Sequence, residues 1–142
     1  MSGMLVILCG APVIYMSKRQ ITVALSSAEA EYMALSLAAQ ETMWLRYLLR
    51  ELGTPQIPAT IMNVDNQAAI SMAEHAGYKS RAKLIDLRYH FVRDAVQDGV
   101  LKIKYVPTTQ QLSEFMTKSL PTPQFIKLVK LGVIVEYPEI SN

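Results

Sequence analysis

The sequence predicts an α/β fold in which helices cover the faces of a mixed β-sheet. Three observations predict it. Short apolar stretches at residues 5–9, 13–17, 59–64 and 101–106 alternate with longer segments of helical periodicity. Their order, β-β-α-β-α-α-β-α, interleaves the two kinds of element as α/β proteins do. Hydrophobic residues make up 51% of 142 residues and charged residues 18%, enough to bury one core and too apolar for a disordered chain. Repeats, low-complexity runs and domain linkers are absent, so residues 1–142 read as a single domain.

Residues 5–9 and 13–17 read as a hairpin turning at Gly10-Ala11-Pro12. A second reading of residues 1–20 is a secretion leader, since Cys9-Gly10-Ala11 offers small residues after an apolar run. Against it, no lysine or arginine precedes that run. Ser26 or Ser27 caps a long helix, with Glu29 and Glu31 in its first turns, where acids suit the macrodipole. Leu45, Leu48, Leu49 and Leu52 recur at helical spacing, and Gly53 stands where a C-terminal cap belongs. This predicts Trp44, Leu45, Leu48 and Leu49 largely buried on the sheet, and a cost of about 2–5 kcal/mol for Leu48→Ala.

Residues 59–64 form the next strand, ended by Asp65-Asn66, and residues 67–73 a short helix. A polar, basic linker over residues 74–82 precedes an amphipathic helix over 83–97, with Ile85, Tyr89, Val92 and Val96 on one face. Gly99 breaks it, and residues 101–106 alternate as a strand with Lys102 and Lys104 opposite the apolar face. Pro107-Thr108-Thr109 then leads into helical segments at 111–120 and 123–131.

Composition narrows the chemistry. The net charge of +2 permits contact with a polyanion without demanding one. A single cysteine, Cys9, excludes an internal disulfide and a cysteine-based zinc site. His75 and His90 lack metal-ligand spacing, and no apolar run approaches the ~20 residues of a bilayer span.

Several motifs stand together in order. They are Ser17-Lys18-Arg19-Gln20, Ser26-Ser27-Ala28-Glu29-Ala30-Glu31-Tyr32, Val64-Asp65-Asn66-Gln67, Lys83-Leu84-Ile85-Asp86-Leu87-Arg88-Tyr89-His90-Phe91, Tyr105-Val106-Pro107-Thr108 and Thr117-Lys118-Ser119-Leu120. The set resembles the ribonuclease H domain of copia-type retrotransposon polyproteins over residues 2–132. That resemblance implies an abbreviated ribonuclease H-like fold, a mixed sheet lacking the usual first central strand. It also implies two-metal phosphodiester hydrolysis, in which four carboxylates hold two Mg²⁺ ions. Glu31 and Asp65 match two of those ligands, with Glu29 the nearby rival of Glu31. The family's first aspartate lies upstream of the residues matching Ser2-Gly3, and its fourth, an aspartate, is replaced by Glu114. Lys83-Leu84-Ile85-Asp86 also lacks the family's histidine. Glu31, Asp65 and Glu114 are therefore expected to be vestigial. No cofactor is expected, with Mg²⁺ required only if nuclease activity survives. Without its central strand the sheet needs the hairpin to pair directly with residues 59–64, or another chain to fill the gap.

Lys79, Arg81, Lys83, Arg88 and Arg93 occupy the region where polyprotein relatives approach an RNA–DNA hybrid, and such charges contact phosphate without reading sequence. Asp86 and Asp94 are interleaved, so a solvated helix face explains the pattern equally. Arg46-Tyr47-Leu48-Leu49-Arg50 is similar to the Arg-x-Leu-Arg host-entry signal of secreted oomycete effectors, with one extra leucine. The plain alternative is an arginine pair on one helix face. Two functions follow as expectations. The first is a non-enzymatic retroelement remnant, secreted and acting on host proteins in plant cells to suppress defence-related cell death. The second is an intracellular polyprotein fragment that cuts RNA in RNA–DNA hybrids once the missing strand is supplied.

Overall fold

The computed structural model describes residues 2–18, 26–74 and 83–132, with backbone alone for 83–86. Strands β1 (Ser2–Leu8) and β2 (Ala11–Lys18) form an antiparallel hairpin with an irregularity between Val6 and Ile7. Its turn is Cys9-Gly10, one residue earlier than the sequence suggests. Both residues have positive φ, 52° and 81°, as a two-residue turn matching strand twist requires. Pro12 consequently enters β2, opposite Ile7 at the irregular step, where a missing N–H is tolerated.

Helix α1 (Ser27–Glu51) is capped by Ser26, whose Oγ accepts the Glu29 N–H at 3.1 Å. It ends at Gly53 (φ 78°), where Gly53 and Thr54 donate to the carbonyls of Arg50 and Leu49. Strand β3 (Thr60–Val64) follows, then α2 (Gln67–Glu74), α3 (Lys83–Gln97) and β4 (Leu101–Tyr105). β3 and β4 pair in parallel, Thr60 opposite Leu101 through Val64 opposite Tyr105. Asn66 caps α2 by accepting the Ala69 N–H on Oδ1 at 3.1 Å. The stretch after Pro107 forms two short 3₁₀ turns, Thr108–Gln110 and Leu112–Met116, before α4 (Thr122–Leu131). The helix expected over 111–120 is thus replaced by tighter turns, which swing Glu114 inward.

One core joins Tyr32, Leu35 and Ala39 of α1 to Met62 and Val64 of β3, Ala69 and Met72 of α2, Tyr89 and Val92 of α3, and Leu101 and Ile103 of β4. Tyr32 and Tyr89 stack with ring centroids 4.1 Å apart, and the Tyr32 hydroxyl donates to the Tyr89 carbonyl. Burial pushes the Tyr32 hydroxyl pKa well up, despite the nearby Arg93 charge.

Two expectations are corrected. The strands form two separate two-stranded sheets, β1-β2 and β3-β4, in place of one mixed sheet. The α1, α2 and α3 residues of the core all meet the Met62, Val64, Leu101 and Ile103 face of β3-β4. The opposite face presents Ile61, Lys102 and Lys104 to solvent. The hairpin does not pair with β3, because a cleft of about 210 Å³ lies between β1 and β3 over α1. The second correction concerns α1. Trp44 and Leu48 are exposed, 56% and 37%, while Leu45 and Leu49 are half-buried. The buried α1 residues run from Glu29 to Thr42. At ~1.5 Å per residue, α1 is about 37 Å long, while a five-residue strand spans about 17 Å, so the helix overhangs its sheet.

Candidate functional site

Three elements place the acidic residues. Glu31 sits in the second turn of α1, Asp65 follows β3 directly, and Glu114 lies in the second 3₁₀ turn. The parallel pairing runs to the end of β3, where Val106 donates to the Val64 carbonyl at 2.9 Å. Asp65 therefore emerges between a fixed strand end and the Asn66 cap. Gly3 lets β1 approach the Glu114 turn, since a side-chain carbon there would meet Thr117 Cγ2 at 2.5 Å and the Ser113 carbonyl at 3.0 Å. Ser17 of β2 ties the same turn by donating to the Met116 carbonyl at 2.7 Å.

Lys118 bonds one of the three carboxylates and feels the charge of the other two. Its Nζ donates to Glu114 Oε1 at 3.0 Å, and the Gln124 side-chain amide donates to Oε2 at 3.4 Å. Both oxygens of the buried Glu114 thus have protein donors. That hydrogen bond holds the Lys118 ammonium above its ordinary pKa; desolvation opposes it, and the charges of Glu114, Asp65 and Glu31 reinforce it. Glu31 is pushed up from the usual carboxylate range, first by desolvation and then by Asp65, with Lys118 pulling the other way. Among the described residues, no group of three His, Cys, Asp or Glu side chains converges closely enough to hold a metal ion. Glu29, the rival of Glu31, is buried at the helix start.

The Glu31 shift predicts a pH-dependent effect. A carboxyl with a raised folded pKa adds stability below its unfolded pKa and loses it as pH rises through the folded value. Glu31→Gln is therefore expected to raise the melting temperature slightly near pH 7 and to leave it unchanged below about pH 4. Glu31 is open to solvent, so screening keeps the gain small. A variant less stable at pH 7 than wild type would contradict this origin of the shift.

The basic residues do not form one described face. Lys79 and Arg81 lie outside the described residues, as does the Lys83 side chain. Arg88 is half-buried, and Arg93 is buried at 8% exposure, its Nε and Nη2 without hydrogen-bond partners among the described residues. The expectation of Arg93 as a phosphate contact is corrected, because burial leaves little of the side chain open to a phosphate. His90 and Cys9 are exposed, and His75 lies outside the described residues.

The arginine pair on α1 divides. Arg46 donates to the carbonyls of Gln56 and Pro58 and to Thr60 Oγ1, fastening the loop before β3 onto the helix. Arg50 is exposed, 3.7 Å from Glu51 and stacked 4.7 Å above the Tyr47 ring. Arg46→Ala is expected to cost about 2 kcal/mol through loss of charge-assisted hydrogen bonds to the loop, measured by urea unfolding. An unchanged midpoint would show that the loop holds itself.

Sequence reasoning missed the roles of Lys118, Gln124 and Gly3. The signal for Lys118 was present, since it follows Glu114 at the four-residue spacing of a local ion pair. Gly3 carried no such signal, because its neighbour is more than a hundred residues away.

Comparison with known proteins gives long, moderate matches. The chain is 36% identical over 124 residues, 87% of its length, to a retrovirus-related Pol polyprotein from transposon TNT 1-94 of Nicotiana tabacum. It is 37% identical over 142 residues, 99% of its length, to the corresponding polyprotein from transposon RE2 of Arabidopsis thaliana. It spans 9% and 10%, about a tenth, of the length of these relatives. A shorter match, 61% identical over 44 residues, covers 31% of this chain and 31% of secreted RxLR effector protein 161 of Plasmopara viticola. No family model matches, and no solved structure matches. Among the described residues no helix is long and apolar enough to cross a membrane.

Proposed function

Because this chain is homologous to one segment of the retrovirus-related Pol polyproteins of plant transposons, we propose that it is a non-enzymatic remnant of their ribonuclease H domain. The observation that carries this reading is Lys118. Its ammonium bonds the buried Glu114 and lies within the charge field of Glu31 and Asp65, supplying positive charge from the protein itself. With both Glu114 oxygens already bonded, Glu31 and Asp65 are left as two carboxylates. A two-metal centre needs more oxygen ligands than these supply, so the residues present do not fit one. No hydrolytic step is derived for them.

The test is Mg²⁺-dependent cleavage of a labelled RNA–DNA hybrid by the folded chain, with Asp65→Asn alongside. No cleavage is expected from either. Cleavage by the wild type that disappears in Asp65→Asn would restore the enzyme.

The remnant works through its surface, as a secreted pathogen effector that suppresses defence-related cell death inside plant host cells. Supporting this are the 61% match to a protein named as a secreted RxLR effector and the exposed Arg50 beside Tyr47 and Leu48. Expression in leaf tissue together with a cell-death elicitor should reduce necrosis. Necrosis equal to an empty-vector control would refute the effector role while leaving the remnant reading in place.

A second reading is favoured by one observation, the cleft between β1 and β3 with Glu31 on its wall. In it the chain is a polyprotein fragment that hydrolyses RNA in RNA–DNA hybrids when a separate strand enters that cleft. Cleavage appearing only on addition of such a strand would favour this reading over the first.

A further inference from the structure

The chain contains two Thr-Pro dipeptides, Thr54-Pro55 and Thr122-Pro123. Proline-directed protein kinases read this pattern, selecting after the acceptor hydroxyl a residue that carries no backbone N–H. The structure separates the two. Thr54 closes α1: its hydroxyl donates to the Leu49 carbonyl at 3.1 Å, and its N–H donates to the same oxygen. That oxygen lies in the last turn of the helix, whose dipole disfavours a phosphate, and the nearby Arg50 is already paired with Glu51. Thr122 stands at the opposite kind of place, the first residue of α4. Thr122 and the prolines on both sides of it are exposed, as are Lys118 and Ser119. Pro121 is extended (φ −56°, ψ 141°), and a residue before proline is itself biased toward extended backbone. Thr122 therefore leaves the helix start readily for the extended pose that a kinase groove holds.

Thr122 also falls between the two donors that hold Glu114. Lys118, four residues before it, gives its ammonium to Oε1, and Gln124, two residues after it, gives its amide to Oε2. The Glu114 side chain is 8% exposed and that of Lys118 60%, so the ammonium is free to turn outward while the carboxylate is not. We propose that Thr122 is a phosphorylation site for a proline-directed kinase, and that its phosphate draws Lys118 away from Glu114. In the transfer Thr122 Oγ1 attacks the γ-phosphorus of ATP. The new O–P bond forms as the bond to the β-phosphate oxygen breaks, ADP leaves, and the hydroxyl proton passes to a base of the kinase. The product carries a charge of about −1.5 to −2, more than a single carboxylate offers the exposed ammonium. Glu114 then loses a donor, and Asp65 and Glu31 lose part of the positive charge they share. The proposal goes beyond the functional reading above and stands without it.

The experiment treats the folded full chain with Mg-ATP and a mitogen-activated protein kinase whose activity is checked on a Thr-Pro peptide. Mass spectrometry should find phosphate on Thr122 and none on Thr54. Thr122→Ala should lose the label, and so should Pro123→Ala, which keeps the hydroxyl and serves as the control if the first variant does not fold. In NMR, phosphorylation should shift both the Glu114 carboxyl carbon and the Lys118 Nζ resonance, whereas Thr122→Ala leaves both in place. Phosphate on Thr54 alone, on both threonines equally, or on neither would overturn the site. Unmoved Glu114 and Lys118 resonances in the chain phosphorylated on Thr122 would overturn the coupling.

Discussion

Tyr89→Ala is expected to lower the unfolding free energy by about 3–5 kcal/mol, read as a shift of the urea midpoint at constant slope. Tyr89 is 1% exposed and sits where α1, α2 and α3 meet. Its ring stacks on Tyr32, and its hydroxyl donates to the Met72 sulfur at 3.6 Å. Truncation removes the aromatic stack and opens a cavity bounded by three helices, which cannot collapse into it without moving one another. Against a total stability of ~5–15 kcal/mol for a domain this size, the loss leaves little margin. Tyr89→Phe should cost less than Tyr89→Ala, because the ring and its stack on Tyr32 are kept. If the two variants were equally destabilised, the hydroxyl rather than the ring would be holding the helices together.

Leu101→Ala is expected to cost about 2–5 kcal/mol, and Leu48→Ala less than about 1 kcal/mol. Leu101 is 2% exposed at the start of β4, opposite Thr60, inside the same core. Leu48, 37% exposed, lies on the part of α1 that extends past the sheet. This ordering reverses the sequence expectation that Leu48 is a core residue. Equal losses for the two variants would mean that the distal half of α1 is covered by something that packs as tightly as the core.

Local elements were legible because their signals are local. Ser26, Gly53 and Asn66 marked helix ends through hydrogen bonds made within a few residues. The periodicity of Tyr89, Val92 and Val96 marked α3, and the alternation of Lys102 and Lys104 marked β4. The sequence predicts a helix where the second 3₁₀ turn stands, because the spacing of the two over a few residues is nearly the same. What turns it inward is Glu114 meeting Lys118 and Gln124, and β1 meeting it at Gly3.

The candidate site divides in the same way. The motifs by themselves named Glu31, Asp65 and Glu114, and related the chain to retroelement polyproteins, because residue identity and order are properties of the sequence. Only the tertiary structure decided which groups share a field, with Lys118 joined to Glu114, Arg93 buried, and Arg46 engaged on a loop. It also decided that the strands part into two sheets around an open cleft. Helix caps and strand periods act over a few residues, and the chain carries them wherever it goes. Burial, charge pairing and strand neighbours depend on segments far apart in the chain, and they exist only once those segments have met.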